Sequence, residues 1–233
     1  DGNVRREIRP PRDGIEIAWR LLFYNCIVHS TVMFRTREVR ALGGYDHALP
    51  FAQDHDLWLR IAERHRVGAV ARALVECRWG DEASITARHA ESQRRCSDRA
   101  RQAALVRCDP ALSEALPAVQ ELGAFIYQAG APPRDPAAAE HLLERLYRAF
   151  HASGFAAGAP AERVRRVLAQ PYLRFAWFYY QRGDRDGCRR CLDAAASGLQ
   201  DVVPLPDEHA LPACDLLCAA VKRHGPQERS VRS

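Results

Sequence analysis

The spacing of apolar residues changes near residue 87, and this change constrains the fold more than any other feature of the sequence. Before it, β-branched runs stand between short helical patterns, as in Ile27-Val-His-Ser-Thr-Val-Met-Phe34. Such a run, bounded by polar residues, predicts a buried strand. Beyond residue 87 the apolar residues recur at helical spacing. The segments with this spacing are roughly 88–107, 112–129, 136–152, 161–181, 184–199 and 207–223.

The part before residue 87 contains three predicted helices and two further short strands. They cover residues 15–24, 36–42, 54–65, 67–70 and 73–78. Gly43-Gly44 supplies the positive φ that ends the second helix. Within the third helix, Asp56 and Arg60 are four residues apart, and this spacing predicts an ion pair. The sequence therefore predicts an α/β N-terminal part followed by an all-α tail.

Breaks in these patterns predict the domain organisation. The predicted divisions are an α/β domain at 1–87, a linker helix at 88–109, a helical domain at 110–225 and a disordered tail at 226–233. The two helical segments on either side of Gly183 are similar to one tetratricopeptide-type unit. The tail is thus predicted to be either a helical bundle or an arrangement of that repeat type.

Charge and hydropathy limit the classes of partner. The net charge is +5, Lys222 is the only lysine, and the 34 basic residues are interleaved with 29 acidic ones. Because there is no block of basic residues to follow a phosphate backbone, we expect no nucleic-acid partner. A mildly basic face suits a nucleotide diphosphate or peripheral contact with an anionic membrane. No apolar stretch reaches the roughly 20 residues that a bilayer requires, so we expect a cytoplasmic protein.

The eight cysteines do not form a disulfide framework in a chain of this length. Cys188 and Cys191, with Cys214 and Cys218 further on, have a spacing that could ligate zinc. Cys188 and Cys191 also share one face of a predicted helix, where free cysteines pack as small hydrophobes. The second interpretation is favoured, and zinc remains the alternative.

Chemistry-bearing residues concentrate in three short motifs between residues 25 and 60. Asn25-Cys-Ile-Val-His29-Ser30-Thr31 comes first, Gly43-Gly44-Tyr45-Asp46 follows, and Gln53-Asp54-His55-Asp56-Leu57-Trp58 opens the third helix. A carboxylate at a helix start is held ionised by the exposed amide groups, which suits a general base. Asp54 is the candidate base, and a plain helix cap is the alternative for the same residue.

In this order and spacing, the motifs closely resemble the acceptor-side, C-terminal half of the family 2 glycosyltransferases. The resemblance covers about the first third of the chain. It implies a partial nucleotide-sugar-binding (GT-A type) fold and inverting transfer of a sugar from a nucleotide-diphosphate sugar to a hydroxyl acceptor. The acceptor would be a glycan, a lipid or a protein. The resemblance also implies Mg or Mn in the full-length enzyme, with most of the metal ligands outside this chain.

The resemblance assigns roles residue by residue. Asp54 corresponds to the catalytic base. The residues that match acceptor-binding or sugar-binding positions are His29, Ser30, Gly44, Tyr45, Asp46, Asp56, Trp58 and Arg78. The sequence departs from the family pattern after Arg78, because Trp79-Gly80-Asp81 stands where family members often carry a histidine that helps to hold metal or diphosphate.

The donor-binding half is expected to be missing, so we expect this chain alone neither to bind a nucleotide sugar tightly nor to turn over. Asp54-His55-Asp56 is not assigned as the family's metal motif, since it opens a helix rather than ending a strand. The alternative function is a non-catalytic helical interaction protein with a remnant transferase segment. In that case the helical tail would bind a partner or form a homo-oligomer.

Overall fold

The computed structural model of the chain describes residues 10–76 and 88–197, and within these ranges it consists of helices and connecting segments without a strand. The α-helices are α1 (Gly14–Leu21), α2 (Thr36–Ala41), α3 (Gln53–Arg64), α4 (Ala90–Cys108), α5 (Leu116–Tyr127), α6 (Pro136–Ala152), α7 (Ala161–Arg165), α8 (Ala169–Gln181) and α9 (Arg185–Ser197). Short 3-10 turns lie at His29–Thr31, Pro110–Leu112, Gly154–Ala156 and Arg166–Leu168.

The predicted α/β N-terminal part is therefore wrong, and the described residues indicate an all-α fold. The run Ile27–Phe34 has extended backbone at Val28 and Val32, but a 3-10 turn lies between them. Local bonds satisfy this backbone: Thr31 N donates to Val28 O at 3.0 Å, and Val32 N donates to His29 O at 3.3 Å. Met33 is 97% exposed, so the run is not a buried strand. β-Branched residues favour a sheet only where a partner strand supplies the ladder and the packing.

The strands predicted at 67–70 and 73–78 are absent as well, as far as residue 76, where this part of the description ends. In contrast, most helices lie close to where the apolar spacing placed them. Pro136–Ala152 matches its prediction, and the segment predicted at 161–181 is divided by a 3-10 turn into α7 and α8. The helix predicted at 207–223 lies outside the described residues.

The chain divides into two compact units. Unit 1 comprises residues 1–117 and 148–158, and unit 2 comprises residues 118–147 and 159–233. Helix α4, predicted as a linker, lies in unit 1. The domain boundaries predicted at residues 87, 109 and 225 stay a prediction.

Helix α1 anchors the core of unit 1. Asp13 caps it by accepting from the backbone N–H of Ile15 at 2.8 Å and of Glu16 at 3.2 Å. Its inner face carries Trp19, whose ring makes T-shaped contacts with Phe23 and Phe150, each at a centroid distance of 5.2 Å. Helix α3 packs against α1 and α4, so the start of α3 is positioned by two neighbours.

Unit 2 contains the helical hairpin that the sequence predicted around Gly183. Gly183 has a φ of +74°, and Asp184 N donates to Tyr179 O at 3.0 Å, which reverses the chain between α8 and α9. Tyr179 also donates from its hydroxyl to Glu140 on α6 at 2.5 Å. Cys188 and Cys191 are buried in α9, as the packing interpretation predicted. Cys214 and Cys218 lie outside the described residues, so zinc binding with them is untested.

Within the described ranges, no helix combines the length and the hydrophobicity needed to cross a bilayer.

Ala129, just after α5, generates a stability prediction because it is exposed and has a φ of +54°. A left-handed conformation costs a residue with a Cβ about 1–2 kcal/mol, whereas glycine adopts it freely and loses about 0.5–1 kcal/mol through its flexible unfolded state. Ala129→Gly should therefore raise the free energy of unfolding in urea by about 0.5–1 kcal/mol. Ala157, exposed with a φ of −56°, provides the control, because Ala157→Gly should lower the same quantity. Equal effects of the two substitutions would contradict the left-handed conformation.

Candidate functional site

Asp54 is the second residue of α3, and its carboxylate is half-buried. Oδ2 of Asp54 accepts a hydrogen bond from Asn25 Nδ2 at 3.0 Å. Asn25 is itself fixed, because its Oδ1 accepts from Ile27 N at 3.1 Å. Oδ1 of Asp54 accepts no hydrogen bond from the described part of the chain. One carboxylate oxygen is thus positioned, and the other is left to accept a proton or a hydroxyl group.

A pocket of about 330 Å³ opens beside this carboxylate. The residues that line it come from the segment after α1, from the start of α3 and from the first two turns of α4: Asn25, Ala52, Asp54, His55, Ala90, Gln93, Arg94 and Ser97. All belong to unit 1. The two helix starts are joined by a stack of Phe51 on His89, with ring centroids 4.7 Å apart.

His55 forms the inner wall of the pocket and is fully buried. Its Nε2 lies 2.9 Å from Leu21 O, which can only accept, so Nε2 carries the proton. Its Nδ1 then accepts from the Ser97 hydroxyl at 2.8 Å. Burial is the main cause that lowers the pKa of His55 to about 4, and the Arg101 charge lowers it further. The imidazole is therefore neutral near pH 7 and connects α1, α3 and α4.

Asp56 is occupied by a different contact. Its Oδ2 accepts from both Nε and Nη2 of Arg60, at 2.8 and 2.6 Å, which confirms the predicted ion pair. The Arg60 guanidinium also donates to Leu42 O and Gly44 O, each at 2.7 Å. The pair therefore fastens the Gly43-Gly44 turn to α3. Asp56 is buried, with 8% of the residue exposed. Its role in this geometry is to hold the turn.

The Gly43-Gly44 turn has the predicted backbone, with φ of +85° and +70°. Beyond it, Tyr45 forms a hydrogen bond of 2.9 Å between its hydroxyl and His29 Nε2. The His29 ring lies 5.9 Å from the Trp58 ring, and Trp58 is one turn along α3 from Asp54. The structure thus brings three of the predicted sugar-binding residues together as an aromatic group.

The other predicted site residues are placed differently. Ser30 is exposed in the 3-10 turn at His29–Thr31. Asp46 accepts from Ala48 N at 2.8 Å, so it stabilises the turn. Arg78 lies outside the described residues. Trp58 is buried, and its Nε1 has no hydrogen-bond partner among the described residues.

Of the polar residues of the pocket, sequence reasoning assigned a role only to Asp54 and missed Asn25, His55, Gln93, Arg94 and Ser97. Asn25 is the first residue of the first motif, and this position was a usable signal. Gln93, Arg94 and Ser97 belong to a charged helix without a motif, and the contact between His55 and Ser97 spans 42 positions. No local pattern reports such a pairing.

The residues at this site do not fit a divalent cation. Asp56 is paired with Arg60, and both ring nitrogens of His55 are engaged. In the described ranges, no group of three or more histidine, cysteine or carboxylate side chains is arranged to hold a metal. The expected Mg or Mn therefore finds no ligand set among the described residues of this site.

The chain matches no protein-family model, and no curated protein or solved structure is significantly similar to it. The resemblance to family 2 glycosyltransferases therefore depends on the three motifs alone.

The buried His55 predicts that stability falls with acidification. Its unfolded pKa is about 6.5 and its folded pKa about 4, so below pH 6.5 the unfolded state takes up the proton first. The stabilisation is complete above pH 6.5 and is lost as pH falls towards 4, by at most about 3 kcal/mol. Urea unfolding at pH 7 and pH 4.5 measures this change.

His55→Gln should unfold more easily at pH 7 but lose less stability on acidification than the wild type. His47→Gln, at an exposed histidine, should keep the wild-type pH dependence. If His55→Gln and wild type lose the same free energy of unfolding between the two pH values, the neutral buried imidazole is contradicted.

Proposed function

We propose that this chain carries the acceptor side of an inverting sugar-transfer site, with Asp54 as the general base. In the proposed reaction, the Asp54 carboxylate takes the proton of an acceptor hydroxyl. The hydroxyl oxygen then bonds to the anomeric carbon of a nucleotide-diphosphate sugar, and the nucleoside diphosphate leaves with the electron pair of the broken bond. The acceptor is a glycan, a lipid or a protein that presents the hydroxyl.

The observation that carries the proposal is the asymmetric environment of Asp54. One carboxylate oxygen is held by Asn25 at 3.0 Å, the other has no partner among the described residues, and Asp54 lines an open pocket. A base requires this combination of fixed geometry and one accessible oxygen. The nearby histidine does not compete for the role, because both nitrogens of His55 are engaged inside the protein.

The order of the motifs supplies the second argument. Asn25, His29, Tyr45 and Trp58 come from the segments that resemble the transferase family. Asn25 contacts Asp54 directly, Trp58 lies one helical turn along α3 from it, and His29 connects Trp58 to Tyr45. The exposed His29 and the half-buried Tyr45 present rings of the kind that pack against the apolar faces of sugars, and the buried Trp58 ring lies beside His29. The donor sugar and any metal are not assigned to residues of this chain. As part of the same proposal, the protein acts in the cytoplasm.

The decisive experiment replaces the chromosomal allele with Asp54→Asn in the source cells and keeps the native length of the protein. Transfer of radiolabelled sugar from a panel of nucleotide-diphosphate sugars to endogenous acceptors is then measured in extracts. Loss of a general base should reduce transfer by about 10²–10⁴-fold. Asp193→Asn is the matched control, because Asp193 is an exposed aspartate of α9 in unit 2, and it should retain wild-type transfer.

Transfer that is equal in Asp54→Asn and wild type would contradict the assignment of the base. That result would favour a second candidate, a non-catalytic helical interaction protein. One finding already favours this candidate, since the described residues lack the sheet at whose strand ends nucleotides bind in α/β folds.

A further inference from the structure

We propose that unit 1 binds the surface of an anionic phospholipid bilayer through two neighbouring segments, residues 32–41 and residues 64–76. Apolar side chains of both segments enter the headgroup region, and arginines of both segments pair with the phosphate and carboxylate groups of the lipids. This binding does not depend on the reaction proposed for Asp54.

Exposed apolar side chains are concentrated in these two segments. Seven large hydrophobic residues of the described chain are exposed, and five of the seven lie here: Met33, Phe34, Val70, Leu74 and Val75. Met33 is 97% exposed and Val70 is 71% exposed, so both side chains extend into water. A single exposed apolar residue is ordinary on a protein surface, whereas a concentration of them indicates an interaction site.

Contacts along α3 bring the two segments together. The Phe34 ring lies 6.2 Å from the Trp58 ring, and Glu38 Oε2 lies 3.9 Å from His65 Nε2. Trp58 and His65 are about two helical turns apart, so residues 34–38 run alongside the second half of α3. The second segment continues from this end of α3, and the two segments are therefore neighbours.

The charge of the two segments is complementary to an anionic surface. They contain six arginines and two glutamates, whereas the whole chain has a net charge of only +5, so most of the positive excess is concentrated here. Arg37 pairs with Glu38 at 2.8 Å. The other five arginines are exposed and form no ion pair with another described residue: Arg35, Arg40, Arg64, Arg66 and Arg72. Their guanidinium groups are therefore available to lipid headgroups.

A bilayer is the partner that suits both the charge and the apolar side chains. Guanidinium groups bind phosphate with two hydrogen bonds, and an anionic leaflet attracts basic segments. Aliphatic side chains such as Met33 and Leu74 enter the acyl boundary of a bilayer, but they offer no flat ring on which a nucleic-acid base could stack. The core of a protein interface is depleted of charge, whereas here an arginine stands between apolar residues, as in Val70-Ala-Arg72-Ala-Leu74.

Co-sedimentation of the full chain with large unilamellar vesicles tests this binding. Vesicles of phosphatidylcholine mixed with phosphatidylserine should bind the protein, and vesicles of phosphatidylcholine alone should bind it roughly tenfold more weakly or less. Binding to the mixed vesicles should fall as sodium chloride is added, because salt screens exposed charges.

Two pairs of arginine substitutions separate this surface from the overall charge of the protein. Arg35→Gln combined with Arg72→Gln should reduce partitioning to the mixed vesicles roughly 25-fold, since each arginine near an anionic leaflet contributes about fivefold. Arg185→Gln combined with Arg189→Gln is the matched control. It removes the same charge from exposed arginines of α9 in unit 2, and it should keep wild-type partitioning.

The apolar contribution is measured in the same assay. Met33→Ser should weaken partitioning roughly tenfold, because the methionine side chain leaves water when it enters the membrane. Val106→Ser, at an exposed valine of α4, is the control and should bind as the wild type does. All the substituted side chains are exposed, so urea unfolding of each variant should match that of the wild type, which excludes misfolding as the cause of lost binding.

Four results would overturn the inference: equal binding to both types of vesicle, no binding to the mixed vesicles at low salt, equal losses in the two pairs of arginine variants, or wild-type partitioning of Met33→Ser. Absence of vesicle binding would instead favour a protein partner for the same surface. These measurements are independent of the transfer assay with Asp54→Asn, so either proposal can fail without the other.

Discussion

The buried imidazole of His55 is the contact on which the site depends. A polar ring inside a protein core is tolerated only if both nitrogens find partners, and here Leu21 O and Ser97 provide them. Leu21 ends α1, so its carbonyl lacks a partner within its own helix. Arg101 also fixes this region, because it donates to Phe23 O just after α1 and pairs with Asp98 on α4. The end of α1, the start of α3 and the middle of α4 are thereby fixed relative to one another.

The positions of the pocket residues follow from this arrangement. Asn25 comes shortly after the end of α1, and Asp54 precedes His55 on α3. Ser97 is the α4 residue that bonds to His55. A second polar contact acts on the opposite side, where Arg60 ties the Gly43-Gly44 turn to Asp56. Helix α3 is thus held at its first turn by His55 and along its length by Arg60. Asp54 therefore lies on an element that is held by polar contacts on two sides.

The sequence predicted the parts of this structure that depend on short-range spacing. Apolar residues at helical spacing located most helices, the Asp56–Arg60 pair followed from a separation of four residues, and the positive φ at Gly43-Gly44 followed from residue type. The predicted strand at Ile27–Phe34 was wrong for a physical reason. β-Branched residues pack well on the surface of a sheet, but they form a strand only where a neighbouring strand is present. The contacts of the site span 29 positions between Asn25 and Asp54 and 42 between His55 and Ser97, so no local pattern contains them.

The side chain at position 52 affects how the dimensions of the pocket could change between related sequences. Its left-handed backbone, with a φ of +54°, would suit glycine, yet its methyl group is buried against Leu49 and Cys96. Cys96 belongs to α4, so one methyl group acts as the spacer between the two helix starts. Replacement by glycine removes the spacer, and a larger side chain pushes the helix starts apart. Divergence at position 52, which lines the pocket, would therefore adjust the distance between α3 and α4 there, and with it the size of ligand that the pocket accepts.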